Sequence, residues 1–477
     1  MTKTFETVII GMGPAGMSAA IELCHRGVKV AIVDESPDPG GQVYRQPPAG
    51  FKISNTKFMG VKYKKGRHLI DDFKSVQNQC AFYNNAYIWG FFNSNILALI
   101  RHDEIFLIKY NKLLLAEGAM ERALPFPGWT LPGIMTLGGL QKLVLHQRIL
   151  PGRRFLLAGC DPLLMPVASA LIKAGGEIAA ICNPIPVQRY LRLIPKLLKR
   201  SELTLETLTY LFPVIKKLVP ILTPFKVVSA SGQFRVERVN IVKLDSRGIN
   251  IPKSEKQFQV DILGVSDGLL PLSRIARLCG CEQVYDPIQQ YWRPKTYDFV
   301  RSNLPDVYVA GDSNGIGGRD LAALDGRLAG TQIANKLGRL TFSEMERETR
   351  HLLKERARLQ EYALQLNEVF SLCHSSLDLM RKDTIVCRCE QITVSEVLAG
   401  IEAGYRNINE MKRTRIGMGL CQGRTCESIV AGIMLQKGIP IEEIGYLNPR
   451  PPLSPLPISF LEKYVKARHA KNYKFRL

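Results

Sequence analysis

Four cysteines near the end of the chain have the spacing of ligands to a metal centre. Cys387 and Cys389 form one close pair, and Cys421 and Cys426 form another after a single helical segment. Two tight pairs of thiolates can enclose a [2Fe-2S] cluster or hold a zinc ion. Glycines around the second pair leave room for backbone amides near cluster sulfurs, so we expect the cluster and keep structural zinc as the alternative.

A second motif with chemical meaning lies between two runs of β-branched residues near the start of the chain. From Val8 to Asp34 the order is strand, glycine turn, helix, strand and acid. Gly11, Gly13 and Gly16 supply the tight turn, the close approach of backbone to a pyrophosphate, and the close packing of helix on strand. Amide groups at the helix start can face the phosphates, and Asp34 can accept hydrogen bonds from an adenosine ribose. The stretch predicts a dinucleotide site.

A strand that ends in Gly311 and Asp312 favours FAD over NAD as the dinucleotide. The aspartate of such a unit can bind the ribityl hydroxyls of a flavin, with the following helix start facing the pyrophosphate or the N1 region. Another strand-turn-helix unit keeps Gly159 but has Asp161 and Leu164 where glycines belong. Because a carboxylate at the point of closest approach repels a pyrophosphate, we expect a relic of the fold there, with nicotinamide binding as the alternative.

The composition is that of a globular protein with two or three domains. The chain has 477 residues, of which 46% are hydrophobic and 22% charged, enough for sizeable cores. No apolar run reaches the roughly 18 residues that span a bilayer, and the start lacks the form of a secretory signal, so we expect a cytoplasmic location. The 11 cysteines are an odd number scattered over a large chain, which favours reduced thiols and metal ligands over disulfides.

The net charge of +21 favours an anionic partner. Nothing in the chain has the form of a helix-turn-helix, a zinc finger or an aromatic RNA-binding strand, so no nucleic acid is expected. The segment 185–226 is apolar but rich in Lys and Arg, which predicts two short amphipathic basic helices. With the tail 463–476, they suit peripheral association with the inner face of the cell membrane or with an acidic partner; a solvated insertion is the alternative.

Together these segments predict an α/β fold: a three-layer, Rossmann-like flavoprotein with two dinucleotide-binding domains and a small helical C-terminal [2Fe-2S] domain. Short apolar stretches between turns predict a β-meander from Cys80 to Leu115. The expected divisions are a discontinuous FAD-binding domain (1–119 and 282–340), a degenerate second domain (120–281), a helical connector (341–382), the cluster domain (383–440) and a basic tail (441–477).

Over roughly residues 5–435 the two centres give the chain a family resemblance. It resembles the FAD-dependent, [2Fe-2S]-binding subunits of bacterial heteromeric dehydrogenases, such as the B subunit of hydrogen cyanide synthase, the A subunit of opine oxidases and the α chain of sarcosine oxidase. The segments that carry the resemblance are 11–16, 34–45, 125–133, 308–312 and the four cysteines. The spacing of these cysteines is similar to that of bacterioferritin-associated ferredoxin, with a longer second gap. The resemblance implies an electron-relay subunit of an amine, amino-acid or opine dehydrogenase, whose substrate is oxidised on a partner chain with its own FAD.

The resemblance also implies which residues contact the cofactors. The expected FAD contacts are Gly11, Gly13, Pro14, Ala15, Gly16, Asp34, Glu35, Gly41, Gln42, Arg45, Gly311 and Asp312. Some such relatives hold an FMN at a subunit interface. The chain departs from the family pattern at Glu117, which replaces a threonine near the expected flavin, and at Asp161 in the second loop.

No catalytic residue is assigned, because the seven histidines form no cluster and no acid-base site is visible in the sequence. Two other functions stay open. An NAD(P)H-dependent flavin reductase of the same fold is disfavoured by the degenerate second loop and by the absence of a Cys-x-x-Cys pair. A non-catalytic assembly or regulatory protein that retains FAD would account for the two departures.

Overall fold

The computed structural model describes residues 2–48, 50–51, 60–92, 95–191, 201–371 and 380–469. The strands are β1 (Lys3–Ile10), β2 (Val30–Val33), β3 (Ala81–Tyr83), β4 (Ala86–Phe92), β5 (Ile96–Arg101), β6 (Glu104–Leu115), β7 (Ala119–Glu121), β8 (Ile134–Thr136), β9 (Arg154–Gly159), β10 (Glu177–Cys182), β11 (Ile221–Leu222), β12 (Phe225–Ser231), β13 (Arg238–Lys243), β14 (Lys256–Gln259), β15 (Ile262–Ser266), β16 (Leu269–Pro271), β17 (Gln283–Asp286), β18 (Tyr291–Pro294), β19 (Val307–Val309), β20 (Ile385–Cys387) and β21 (Ile392–Thr393).

The α-helices alternate with these strands in the first two thirds of the chain and dominate the last third. They are α1 (Pro14–Cys24), α2 (Gly60–Val76), α3 (Leu137–Gln141), α4 (Leu164–Lys173), α5 (Val187–Leu191), α6 (Ser201–Lys216), α7 (Arg274–Cys279), α8 (Arg319–Lys336), α9 (Phe342–Val369), α10 (Val394–Glu402), α11 (Glu427–Gln436), α12 (Ile441–Ile444) and α13 (Ile458–His469). No helix within the described ranges is long and apolar enough to cross a membrane.

The first sheet is built around β1, in the strand order β3-β2-β1-β6-β5-β4. The run Val8–Ile10 is buried, and β1 pairs in parallel with β2 and β6, as expected for a strand covered on both faces. Strands β4, β5 and β6 form the predicted antiparallel meander, whereas β3 pairs in parallel with β2. Strand β19 pairs in parallel with β6, so distant parts of the chain complete one sheet.

Helices α1 and α8 pack against each other on one face of this sheet. A Cβ atom at Gly326 would lie 2.1 Å from the carbonyl oxygen of Ala15, and one at Gly330 would lie 2.8 Å from the Cβ of Glu22. Only glycine permits such a close approach, so these two residues set the distance between the helices. Leu23 and Ile333 are fully buried in the core that results.

The second sheet has the order β11-β10-β9-β15-β8 and contains the predicted second strand-helix-strand unit, β9-α4-β10. An antiparallel sheet of β12, β13 and β14 packs beside it through Val227, Val239 and Ile241. Helix α9 follows the first domain as the predicted connector. It begins at a capping box formed by Thr341 and Glu344 and is tied to α8 by a buried ion pair.

The cysteine-rich unit has its own hydrophobic core. Strands β20 and β21 precede α10. The Thr-x-x-Glu pattern of residues 393–396 predicts a capping box at a helix start, and α10 begins there, with Thr393 and Glu396 forming the box. Val397 and Val430 are fully buried between α10 and α11. Leu447 packs into the same core, so this core includes residues beyond 440.

Two segments differ from the sequence-based expectation. Residues 60–76, for which the sequence predicts no helix, form α2. The helix is stabilised because its apolar side chains Ile70, Phe73 and Val76 pack into the first core. The basic insertion is helical in α5 and α6, but residues from Ile221 onward form β11 and β12, which pair with β10 and β13. Arg192, Lys196, Lys199 and Arg200 of this insertion and residues 470–476 of the tail lie outside the described residues.

Candidate functional site

The glycine turn after β1 is as tight as its spacing predicts. Gly11 has φ +101°, and a Cβ there would lie 2.1 Å from the carbonyl oxygen of Ala116. A Cβ at Gly16 would lie 1.9 Å from the carbonyl oxygen of Gly11. These glycines press the start of α1 against the ends of β1 and β6. Pro14 is the first residue of α1, a position where its missing N–H costs nothing.

Gly13 differs from the other glycines of the turn, because it faces Gly41 across an opening. The nearest atom to a Cβ at Gly13 would be the Cα of Gly41, at 3.9 Å, whereas a Cβ at Gly41 would lie 2.7 Å from the Cα of Gly13. The predicted loop 39–45 therefore reaches the glycine turn. Gln42 and Arg45 lie on its exposed side, with Arg45 Nη2 donating to Gln42 Oε1 at 3.5 Å.

Asp34 ties the end of β2 to the glycine turn. One carboxylate oxygen accepts from the N–H of Met12 at 2.5 Å, and the other accepts from the N–H of Ser36 at 2.6 Å. A carboxylate has about four acceptor positions, so two remain for ribose hydroxyls. Burial raises the pKa of the adjacent Glu35, while Arg424 of the cysteine-rich unit opposes that rise.

Gly311 and Asp312 lie beside the glycine turn, as the parallel pairing of β1, β6 and β19 requires. Gly311 has φ +69°, and a Cβ there would meet the Cβ of Ala15 at 3.0 Å. The Asp312 carboxylate accepts from the N–H groups of Gly317 and Gly318, both at 3.0 Å. The two predicted flavin motifs therefore meet at the start of α1, where glycines leave a cradle that side chains would fill.

Glu117 follows β6 between these two motifs. The next residue, Gly118, donates its N–H to Ser313 Oγ at 2.8 Å, which fixes the turn beside Asp312. Glu117 Oε2 is buried and finds no hydrogen-bond partner among the described residues. Burial raises the pKa of Glu117 to about 8, and Arg274 only partly opposes the shift. Burial therefore favours the uncharged form of this carboxyl beside the cradle.

Asp161 in the second loop has a structural role. Its Oδ1 accepts from the N–H of Leu163 at 2.7 Å, and its Oδ2 accepts from Ser266 Oγ at 2.5 Å. Only 2% of the residue is exposed. Both carboxylate oxygens thus bond within the protein, one to the loop and one to the end of β15, which favours the prediction that no pyrophosphate binds there.

The thiols of the four predicted metal ligands form two contacting pairs. The Cys387 thiol is hydrogen-bonded to that of Cys426, and the Cys389 thiol to that of Cys421. Electrostatic interactions also join Cys387 to Cys389 and Cys421 to Cys426, so the two pairs are close to each other. Gly419 permits this approach, since a Cβ there would lie 2.4 Å from the Cβ of Cys389.

In each thiol pair, one cysteine has a lowered pKa. The contact with Cys426, helped by the N–H groups of Glu390 and Gly417, lowers the pKa of Cys387 to about 6 despite burial. Burial opposes ionisation of Cys421, but the Thr425 N–H and the Cys389 thiol contribute to a net lowering of its pKa. Thiolates are the form that binds metal, and amide N–H groups near them are typical of iron-sulfur sites.

The two thiol pairs bear on the choice between the two predicted metal centres. No three His, Cys, Asp or Glu side chains within the described ranges converge as a group that could hold a metal ion. A structural zinc site needs four such ligands around one ion. Each iron of a [2Fe-2S] cluster needs two thiolates, which the pairs Cys387–Cys426 and Cys389–Cys421 can supply.

Helix α7 joins the flavin side to the cysteine side, a link that no motif in the sequence predicts. The Arg274 guanidinium at its start interacts with the Glu117 carboxyl and with the Cys421 thiol. One turn later, Arg277 forms an ion pair with Glu427 at 2.7 Å. Arg424, between Cys421 and Cys426, donates to the carbonyl oxygen of Cys421 at 3.1 Å. These arginines carry no local signature, and only the folded chain reveals their role.

Known families match both ends of the chain. The family described as pyridine nucleotide-disulphide oxidoreductase matches residues 5–178, and the sarcosine oxidase A3 domain matches residues 381–463. Hydrogen cyanide synthase subunit HcnB of Pseudomonas aeruginosa is 32% identical over 456 residues, which cover 95% of this chain and 97% of that protein. The A subunit of the opine oxidase of Rhizobium meliloti is 29% identical, with 97% and 88% covered.

A solved structure confirms the predicted fold class. L-proline dehydrogenase from P. horikoshii superposes with a TM-score of 0.70 at 20% identity, covering 96% of this chain and 79% of that chain. At that level of identity the likeness shows the fold alone, which is the mixed α/β, Rossmann-like flavoprotein fold.

Proposed function

The chain belongs to the family of hydrogen cyanide synthase subunit HcnB and is an FAD-dependent oxidoreductase; from this premise we propose that it is the electron-relay subunit of a heteromeric amine, amino-acid or opine dehydrogenase. Electrons come from the substrate site of a partner subunit that holds its own FAD. FAD and a [2Fe-2S] cluster are the two centres of this chain. The relatives named above are themselves called subunits, which supports a heteromer.

One observation carries the proposal: a single side chain lies within electrostatic reach of both centres. Arg274 interacts with Glu117 beside the flavin cradle and with Cys421 among the predicted cluster ligands. Glu35, next to the predicted ribose ligand, interacts in turn with Arg424 in the cysteine loop. The two sites are therefore neighbours, as electron transfer between them requires.

The residues of the chain have distinct parts in this function. The amides at the start of α1 receive the pyrophosphate, and Asp34 and Asp312 orient the two ends of the FAD. When bound, FAD accepts electrons in pairs and the cluster passes them singly. Arg274 and Arg424 offset the negative charge of the four thiolates, and the burial of Glu117 disfavours a negative charge next to the cradle.

Purification with co-eluting chains tests the relay. We expect the complex, given its amine or amino-acid substrate without oxygen, to bleach the flavin absorbance and to produce the electron paramagnetic resonance signal of a reduced [2Fe-2S] cluster. The chain alone should show neither change with substrate. Oxidation of an amino acid by the isolated chain would contradict the need for a partner.

The same preparation examines the remaining predictions. Flavin extraction reports whether FMN accompanies FAD, as the family resemblance implies. Anaerobic addition of NADH to the isolated chain should leave the flavin oxidised, because Asp161 is bonded into the second loop. Bleaching by NADH would support the flavin-reductase alternative, and flavin that stays oxidised during partner turnover would support a non-catalytic role.

Peripheral membrane association is the second part of the proposal, and α6 supports it. Its inner face is anchored by the fully buried Val214 and by Glu206, which forms an ion pair with Arg319 at 2.5 Å. Its outer face exposes an apolar stripe of Leu205, Leu208, Phe212 and Ile215, each more than half exposed. Lys216 and Lys217 are exposed at its end. An apolar stripe next to cations is typical of helices that lie in an anionic membrane surface.

We expect the protein to co-sediment with vesicles of phosphatidylglycerol and to be released at about 0.5 M salt, because salt screens the attraction of the lysines. Phe212→Ser should weaken binding about tenfold, since it removes one large side chain from the apolar stripe. Phe234→Ser is the matched control, because Phe234 is 80% exposed on a turn of the second domain. If neither salt nor Phe212→Ser changes the amount of protein that sediments with the vesicles, this role is contradicted.

A further inference from the structure

A cleft lies between α7, the β17–β18 hairpin and α11 of the cysteine-rich unit. Leu270 and Leu435 form part of its apolar wall, and Arg274, Arg277 and Arg424 bring three guanidinium groups to it. It offers about 70 Å³ of room to water-sized molecules, whereas a single water needs roughly 10–15 Å³. The cleft can therefore admit a ligand with several non-hydrogen atoms.

Two buried hydrogen-bond donors in the lining have no acceptor. Trp292 Nε1 and Ser428 Oγ are buried and lack a hydrogen-bond partner within the part of the chain that the structure describes. Leaving such groups unpaired costs free energy, so an acceptor normally meets them. A ligand oxygen in the cleft would supply the missing acceptor.

The charge of the lining is positive and only partly balanced. Arg277 is paired with Glu427 and lies over the ring of Tyr446. Arg274 and Arg424 form no ion pair with any described residue; their guanidinium groups donate to the carbonyl oxygens of Leu453 and Cys421. Two arginines with free donors form a natural site for a carboxylate.

The aromatic residues of the cleft favour a flat ligand. The ring of Trp292 contacts those of Tyr285 and Tyr446, with both centroid distances at 5.3 Å. Tyr285 and Trp292 line the cleft, and their rings offer apolar surface against which a planar ligand can pack. Small-molecule sites commonly combine an apolar wall with a few converging polar groups, as this cleft does.

We propose that the cleft is a second small-molecule site, which binds a small planar carboxylate between Arg274 and Arg424 with an oxygen near Trp292 and Ser428. Such a ligand would touch both α7 and α11, and so would bridge the flavin side and the cysteine side of the chain. The site is separate from the nucleotide cradle, and it shares Arg274 and Arg424 with the relay proposed above.

Calorimetric titration with benzoate tests the proposal on the protein as purified. We expect saturable binding of benzoate at millimolar concentrations and binding of the neutral analogue benzamide at least tenfold weaker, because benzamide lacks the charge that the arginines attract. No partner, substrate or turnover enters the measurement. If benzoate binds but substrate does not reduce the flavin and the cluster, the relay is rejected and the carboxylate site is supported. If substrate reduces both centres but benzoate does not bind, only the carboxylate site is rejected.

Variants locate the binding in the cleft. Arg424→Gln should weaken benzoate binding at least tenfold. Trp292→Phe, which keeps an aromatic ring but removes the Nε1–H donor, should weaken it several-fold. Arg450→Gln is the control, since Arg450 is an exposed arginine of the same unit that does not line the cleft. The proposal is overturned if benzoate does not saturate, if benzamide binds equally well, or if Arg450→Gln and Arg424→Gln have the same effect.

Discussion

Replacing Gly13 with aspartate is expected to yield a folded protein without FAD. The nearest atom to a Cβ at Gly13 would be 3.9 Å away, so the backbone has room for a side chain. The carboxylate, however, would lie at the start of α1, where the pyrophosphate must approach, and would repel it. Flavin released by denaturation, measured per chain, should fall to background, while circular dichroism and the melting temperature stay close to those of the FAD-free wild type.

Two further glycine variants show whether charge or bulk is responsible. Gly13→Ala should lose only part of the flavin, because its methyl group enters the space that the pyrophosphate approaches but adds no charge. Gly11→Ala should destabilise the fold, because its Cβ would lie 2.1 Å from the carbonyl oxygen of Ala116 and its φ of +101° disfavours any side chain. Normal flavin content in Gly13→Asp would show that the cofactor lies elsewhere.

Replacing Cys421 with serine is expected to abolish the iron centre. Cys421 and Cys389 form one of the two thiol pairs, so the substitution leaves one metal position with a single thiolate. We expect roughly two iron atoms per wild-type chain and almost none in the variant, since a [2Fe-2S] cluster requires four protein ligands. Iron analysis and the visible absorption spectrum measure the loss.

Cys80→Ser is the matched control for the cluster. Cys80 is a half-buried free cysteine of the first domain, and its thiol donates to the carbonyl oxygen of Gln77. It should keep full iron and flavin content. Iron that persists in Cys421→Ser would contradict the ligand assignment, and one zinc per wild-type chain would support the alternative of a structural zinc site.

The sequence predicted features whose cause is local. The glycine spacing after β1 predicted a turn that only glycine can form, and Thr393 with Glu396 predicted the start of α10. Both depend on backbone conformation and on contacts between residues close in the chain. The two flavin motifs meet because the parallel strands β1, β6 and β19 bring their carboxyl ends to one edge of the sheet.

Features that depend on distant contacts could not be predicted. The thiols pair as Cys387 with Cys426 and Cys389 with Cys421, so each contact joins one cysteine of the first sequence pair to one cysteine of the second. Helix α2 forms because its apolar side chains reach a core built from distant residues. The sequence indicates only that Asp161 would repel a pyrophosphate. Its hydrogen bond to Ser266 could not be predicted, because the two residues are 105 positions apart in the chain.

The way in which β19 completes the first sheet also bears on how the chain is made. Strands β1, β2 and β6 leave the ribosome early, but β19 and α8, which cover β6 and α1, follow only after the whole second domain has been synthesised. Domains generally fold as units during synthesis, and pairing of distant segments is slow. The second domain can therefore fold as a continuous stretch of chain while the first domain is still incomplete. The cofactor cradle is among the last features to form, and loading of the dinucleotide becomes a late event in the life of the nascent chain.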